Sequence, residues 1–278
     1  MLSPYRSTTG RNQPSTTKFI FGPAVWTRGL IKPPPGYGIA YVDWSQQEFG
    51  IAAALSGDEL MKRAYMSGDP YLEFAKQGGV VPTDATRQSH AALREQCKAC
   101  VIAVQYGMGA EALAARINQP VARARELLYL HKNTYRVFWR WSDAALDYAM
   151  LYGHMHTVFD WRLHLTRSAN PRSVRNFPMQ ANGAEMLRLA CSVLVERGIE
   201  VCAPVHDAVL VQYALEEREP IIQATQQIMT EASEVILDGF RLNSDVAYYD
   251  YPDRYSDPRG ESIWCMVQNL IEEERYVA

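Results

Sequence analysis

Nothing in this chain approaches the run of about 18 apolar residues that a membrane-spanning helix needs. The amino terminus, Met1-Leu2-Ser3-Pro4-Tyr5-Arg6, has no apolar core segment and no small-residue cleavage site, so no secretory leader is expected. Cysteine is scarce and odd in number: five residues at irregular spacing exclude a disulfide scaffold and fit a reduced, cytoplasmic protein. A basic surplus is missing as well. With 28 Lys and Arg against 31 Asp and Glu, the formal net charge is −3, so bulk charge does not advertise a phosphate-backbone binder. The Gly-x-x-x-x-Gly-Lys-Ser/Thr loop is absent, which removes P-loop NTPases. Cys97-x-x-Cys100 lacks the second Cys or His pair a zinc site requires, and His154-x-His156 lacks a third ligand nearby. What is present is 278 residues, 47% of them hydrophobic, enough to bury the core of one large or two modest domains.

Residues 1–36 are rich in Pro, Gly, Ser and Thr and read as loop and turn, with Phe19-Ile20-Phe21 and Val25-Trp26 apolar enough to pack. Gly38-Ile39-Ala40-Tyr41-Val42-Asp43 reads as a buried strand ending in a carboxylate, followed from Gln46 by a helix that stops at Ser56-Gly57-Asp58. Residues 59–150 are predominantly helical, with helices over Ala91–Tyr106 (closed by Gly107-Met108-Gly109), Ala122–Tyr135 and Phe138–Tyr152. Gly153–Leu165 alternates like a hairpin, and Asn176–Arg197 is helical again. Val201–Val205 and Ala208–Val211 flank the two-residue turn His206-Asp207, the spacing of a tight hairpin. Glu217–Val235 is an amphipathic helix; the remainder is a Tyr/Asp/Pro-rich loop and a short helix around Ile263–Glu274. The order β, many α, then β predicts an α+β fold: a sheet platform interrupted by a helical insertion.

Two features carry chemistry. Asp43 and Asp207 each cap an apolar strand, where a desolvated, unpaired carboxylate is costly. Two such groups brought together repel unless a divalent cation lies between them, a role that suits Mg²⁺. Taken alone, Asp207 reads more simply as a plain turn residue, since Asp is common in hairpins. The second feature is Arg94, Lys98, Ile102 and Tyr106, spaced by four along one helix. Two cations, an apolar residue and an aromatic ring make a stripe for a triphosphate at one end and a base at the other, or a solvated face passing into a core face. The run Phe138-Trp139-Arg140-Trp141 reads as helix-packing surface.

In order along the chain, these segments resemble the polymerase module of family A DNA polymerases, the class of bacterial DNA polymerase I and many phage replicases. Asp43-Trp44-Ser45-Gln46-Gln47-Glu48 with Leu55-Ser56-Gly57-Asp58 resembles the first palm motif, Arg94-x3-Lys98-x3-Ile102-x3-Tyr106-Gly107 the fingers-helix motif, and Val205-His206-Asp207 the second palm motif. Thr9-Gly10-Arg11 is similar to the segment opening the palm, and Arg172-x3-Asn176-x-Pro178-Met179-Gln180 to the helix lying against primer–template.

The resemblance implies an antiparallel palm sheet carrying the catalytic carboxylates and helical fingers, divided as palm 1–56, fingers 57–165 and palm 166–278. It implies two Mg²⁺ ions, replaceable by Mn²⁺, held by Asp43, Asp207 and the Trp44 carbonyl. Lys98 and Arg94 would bind dNTP phosphates, Lys98 also protonating the leaving group. Ile102, Tyr106, Gly107 and Gln46 would line the nucleotide site, and Glu48 would exclude the ribose 2′-hydroxyl. Arg11, Arg172, Asn176, Gln180 and His206 would hold the primer–template, with Lys18 and Arg28 among the further phosphate contacts. Departures are Ile102 in place of an aromatic residue, Ala208 where Glu is common after the aspartate, and Tyr71 where His is common. The expectation is template-directed DNA synthesis in a bacterial or phage-infected cytoplasm, by a chain without thumb or exonuclease that a second polypeptide completes. The alternatives are a single-subunit RNA polymerase, against which Glu48 argues, and a non-catalytic DNA-binding or assembly subunit, against which retention of Asp43, Asp207, Lys98 and Arg94 argues.

Overall fold

Four strands, all antiparallel, make the sheet on which this chain is organised. The computed structural model describes residues 2–3, 5–14, 19–22 and 24–277; Lys18 lies outside them. In chain order the elements begin with a short ribbon, β1 (Leu2–Ser3) against β2 (Gln13–Pro14), a 3₁₀ turn over Val25–Leu30, and β3 (Tyr37–Trp44). Seven helices follow: α1 (Gln47–Ser56), α2 (Glu59–Met66), α3 (Pro70–Gln77), α4 (Ala91–Gln105), α5 (Ala110–Ile117), α6 (Val121–Thr134) and α7 (Arg136–Tyr152). Then come a second ribbon, β4 (His154–His156) and β5 (Arg162–His164), the long helix α8 (Pro171–Glu196), the hairpin β6 (Glu200–Val205) and β7 (Ala208–Ala214), α9 (Arg218–Ile236), β8 (Ser244–Asp250) and α10 (Glu261–Val277). The sheet order is β6-β7-β3-β8.

The chain divides into two compact units. The first holds residues 1–45, 184–234 and 241–278; the second holds 46–183 and 235–240. In the first, β3 pairs with β7 from Tyr37↔Ala214 to Asp43↔Ala208, and with β8 from Gly38↔Asp250 to Trp44↔Ser244. One face packs Phe21, Ile39, Val205, Leu210 and Tyr255 together, with Tyr41 set edge-on to Tyr255. Gly38 is required here, because a Cβ would fall 2.4 Å from the Tyr213 ring. In the second unit, rings of Phe49, Phe74, His131, Tyr135 and Phe138 converge, with His131 and Tyr135 4.9 Å apart. Asp58 accepts from the amides of Leu60 and Met61 at the start of α2 and from Val137 and Phe138 in α7. One carboxylate thereby caps two helix starts.

Three expectations are corrected. Residues 244–250, read as loop, form strand β8; as an edge strand with Val246 and Tyr248 exposed, it shows no buried alternation and is held by backbone pairing to β3. Helix α8 starts at Pro171, not Asn176: Asn170 accepts from the Arg172 amide, and Pro at the first helical position needs no donor. Helix α10 is longer than expected at both ends.

Candidate functional site

In the first unit, the sheet sets the acidic residues. Asp43 is the penultimate residue of β3, and directly opposite residues on adjacent antiparallel strands share a face. Asp43 therefore stands between Ala208 on β7 and Asp245 on β8. The turn between β6 and β7 has two residues, with Val205↔Ala208 as the last pair and His206 in the left-handed region at φ 56°. That tight reversal carries Asp207 next to Asp43, and the Trp44 amide donates to the Asp207 carbonyl at 3.2 Å.

The two carboxyl groups lie within hydrogen-bonding reach of each other. Burial first, then the neighbouring charges of Asp207 and Asp245, push Asp43 well above the usual carboxylate range. Asp207 is raised as well, by burial, against the opposing pull of Arg11 and His206. Oδ1 of Asp43 is buried without a hydrogen-bond partner. An orphaned carboxylate oxygen beside a second carboxylate fits a hard divalent cation, which needs oxygen donors and relieves their repulsion. Among the described residues, no group of three or more His, Cys, Asp or Glu is arranged to hold a metal ion, so the site rests on this pair. Asp245 joins the site through strand β8, whose sequence pattern predicts a loop and so gives no signal for this neighbour. It is exposed, and its Oδ2 accepts from the Ser45 hydroxyl at 2.6 Å.

The second unit carries the cationic stripe. On α4, Arg94 is only 7% exposed; its Nε donates to Asp69 at 2.6 Å and Nη1 to Glu95 at 2.5 Å. Asp69 also caps α3, accepting from the Leu72 amide, so one carboxylate fixes a helix start and a guanidinium. Lys98 lies over the Tyr71 ring with Arg94, at 5.9 and 5.5 Å from its centroid. No carboxylate pairs with Lys98 among the described residues. Lys98 and Ile102 line a cavity of about 520 Å³ with Glu95, Gln96 and Arg116, whereas Arg94 and Tyr106 are not among its walls.

Tyr106, half exposed, ends the stripe and donates its hydroxyl to Glu48 at 3.4 Å. Gly107 (φ 61°) follows, and a Cβ there would come within 2.9 Å of the Arg172 side chain, so the end of α4 and the start of α8 pack closely only because this residue is glycine. Gln46 is left-handed (φ 46°) at the start of α1. Along α8, Arg172 is exposed, Asn176 is buried with Oδ1 unpartnered, and Gln180 is half-buried. In the first unit, Arg11 lies near enough to Asp207 to pull its pKa down. The remaining candidates, Asp43, Trp44, Asp207 and His206, are gathered at the β3 end and the hairpin tip.

Two of the weaker signals are absorbed by packing. Phe138 is buried, and Trp139 donates its indole N–H to His131 Nδ1 at 3.1 Å. Cys97 and Cys100 are buried and unbridged on α4.

A family model described as DNA polymerase family A matches residues 22–247. Among curated proteins, DNA polymerase I of Deinococcus radiodurans is 26% identical over 208 residues, covering 70% of this chain and 21% of that protein. The thermostable DNA polymerase I of Thermus aquaticus is 26% identical over 208 residues, covering 70% of this chain and 25% of the relative. The chain thus spans a quarter or less of the length of these two relatives. Among solved structures, the polymerase domain of Pol1 from M. smegmatis, in complex with DNA primer-template and dNTP, shares the fold at a TM-score of 0.75 and 23% identity, over 90% of this chain and 47% of that one.

Proposed function

Because the chain belongs to DNA polymerase family A, we propose that it performs template-directed DNA synthesis, joining a dNTP to a primer 3′-hydroxyl with release of pyrophosphate. The observation that carries this reading is the Asp43–Asp207 pair, two carboxylates in contact with one oxygen buried and unpartnered. Asp43, Asp207 and the Trp44 carbonyl would hold two Mg²⁺ ions, or Mn²⁺ in their place. When bound, such ions make a primer hydroxyl more acidic and neutralise triphosphate and pyrophosphate charge.

The chain's own residues then divide the work. Asp43 and Asp207 must both be ionised to bind cations, which Arg11 favours by drawing the Asp207 pKa down. Lys98 would bind the triphosphate and give a proton to the leaving pyrophosphate. Arg94 would join it only by exchanging Asp69 or Glu95 for a phosphate oxygen. Ile102, Tyr106, Gly107 and Gln46 would line the space for sugar and base, and the Glu48 side chain, steadied by the Tyr106 hydroxyl, would exclude a 2′-hydroxyl. Arg11, Arg172, Asn176, Gln180 and His206 would hold the primer–template by contacts that position a duplex without reading its sequence. On this reading the sheet is a palm over 1–56 and 166–278 and the helical region 57–165 the fingers.

A second polypeptide supplying a thumb is part of the same proposal. It is supported by the exposed apolar stripe Ile263, Met266 and Leu270 on α10, which such a partner would cover. No helix among the described residues is long and apolar enough to cross a membrane; a cytoplasmic setting is proposed from the unbridged cysteines. Primer extension by the purified chain, with dNTPs or rNTPs in Mg²⁺, tests the function. Extension with dNTPs that disappears in Asp43→Asn supports it. Failure to extend any primer favours a non-catalytic subunit, and preference for rNTPs favours an RNA polymerase. Mass in solution tests the partner.

A further inference from the structure

Asp43 has two cross-strand neighbours on its own face of the sheet, Ala208 from β7 and Asp245 from β8. Directly opposite residues on antiparallel strands bring their Cβ atoms to about 4.5–5.5 Å, and like charges so placed destabilise the sheet. Packing gives no reason for a carboxylate at that position. Strand β8 is the edge of the sheet and Asp245 is exposed, so a neutral residue would serve the pairing better. The one side-chain hydrogen bond to Asp245 among the described residues comes from the Ser45 hydroxyl, at 2.6 Å to Oδ2. Its Oδ1 is left without a protein partner among those residues.

The Ser45 bond ties Asp245 to the segment on which the acidic site is built. Ser45 follows Trp44, whose carbonyl stands among the cation ligands of the proposed site. The Ser45 amide donates to the Asn243 carbonyl at 2.9 Å, and the buried Trp44 ring donates its indole N–H to the Met229 carbonyl at 3.3 Å. With both sides of the Trp44–Ser45 step held, Asp245 has a fixed place beside Asp43. It stands outside the direct ligands, since among the described residues no three acidic, His or Cys groups are arranged to hold a metal ion together. A hard cation such as Mg²⁺ keeps several of its waters, and a carboxylate just beyond the ligands accepts hydrogen bonds from them.

We propose that Asp245 is a positioning residue for the cation site: it holds cation-bound water through the oxygen that Ser45 leaves free, and adds a third negative charge on the β8 side of Asp43. On the β7 side Ala208 offers no side-chain oxygen, so this support comes from β8. The assignment rests on the reading of Asp43 and Asp207 as a cation site, and its test begins with binding rather than synthesis.

The experiment is titration of the full chain with Mn²⁺, the free ion read by electron paramagnetic resonance, without DNA or dNTPs. Asp245→Asn should weaken Mn²⁺ binding by about ten-fold, and Asp245→Glu, which keeps the charge, should recover most of the loss. In chelator, Asp245→Asn should melt at or above the parent, because it removes one of two facing charges. A merely structural role would lower the melting temperature instead. In primer extension, the Mg²⁺ concentration giving half the maximal rate should rise by about ten-fold while the dNTP KM stays within about two-fold of the parent. Parent-like Mn²⁺ affinity in Asp245→Asn, beside a large loss in Asp43→Asn, overturns this inference and leaves the cation site standing. Parent-like affinity in Asp43→Asn overturns the cation site itself. A lower melting temperature in chelator for Asp245→Asn, with no recovery of Mn²⁺ binding in Asp245→Glu, also overturns the inference.

Discussion

At the end of β3, Asp43 and Asp207 sit against each other with one carboxylate oxygen buried and unpartnered; on α4, Arg94 is also buried, yet two carboxylates close around it. Both are charges in partly desolvated places, where an ion without a partner is expensive. The sheet leaves that cost standing, so a bound cation would relieve it. The helix has already met its cost internally, so a phosphate must compete with Asp69 and Glu95. Lys98, on the same helix but with no carboxylate attached among the described residues, is the cation ready for a ligand. The contrast teaches that motif membership does not make two cations equivalent; their partners decide which is poised.

The largest expected effect breaks the acidic site. Asp43→Asn or Asp207→Asn should lower primer extension by roughly a thousand-fold or more, as the loss of metal charge at the reacting centre implies. The same variants should melt higher than the parent at pH 8 in chelator. A carboxyl whose folded pKa is raised costs stability once the pH passes its unfolded value, and Asn removes that cost. A parent-like rate, or a lower melting temperature, would show that the pair is not a strained site.

Lys98→Ala comes next. It should raise the dNTP KM and slow turnover by about a hundred-fold while leaving melting nearly unchanged. Arg94→Ala should do the reverse in proportion, destabilising the fold by about 2–3 kcal/mol in urea titration because Asp69 and Glu95 lose their counter-charge. Adding Asp69→Asn to Arg94→Ala should recover part of that loss. If the two substitutions had the same profile, the distinction between a poised and a committed cation would be gone.

The regions also differ in the sign of their pH dependence. His131 is 1% exposed in the second unit, and burial holds its pKa down to about 3. Its contribution is fully present above the unfolded value near 6.5 and is lost as the pH falls toward the folded one, by up to about 1.4 kcal/mol per unit. His131→Gln, which keeps an acceptor for Trp139, should flatten the stability curve between pH 6 and 4 without touching the rise expected of Asp43→Asn at pH 8. Hydrogen exchange resolved by segment would follow the two effects separately. The smallest effect concerns Glu48→Ala, which should raise rNTP use relative to dNTP by several-fold to ten-fold and leave dNTP kcat/KM within about two-fold of the parent. An unchanged ratio would move sugar selection to Tyr106.

Much of the frame was legible because it is written in local patterns. The apolar run 38–42, the two-residue gap between Val205 and Ala208, and the four-residue spacing on α4 each specify an element before any contact forms. Strand β8 was not legible, since an edge strand held by backbone bonds needs no buried alternation and Ser-Asp-Val-Ala-Tyr-Tyr-Asp shows none. With it went Asp245, whose place opposite Asp43 exists only once β8 is paired. Helix α8 starts five residues before the periodic pattern at Asn176, because a proline at the first helical position opens the helix without adding to that pattern.

By itself, the sequence determined which side chains carry charge, which strands and helices other than β8 present them, and the family to which their order belongs, since these follow from residue type, short-range periodicity and the order of motifs. Only the tertiary structure decided which charges meet. Asp69 reaches Arg94 across 25 positions, Asp207 reaches Asp43 across 164, and Asp245 comes opposite Asp43 through the pairing of β8 with β3. Coulomb energy and desolvation depend on distance in space and on the surrounding medium, not on separation along the chain, so whether a charge is balanced or left waiting is a property of the fold.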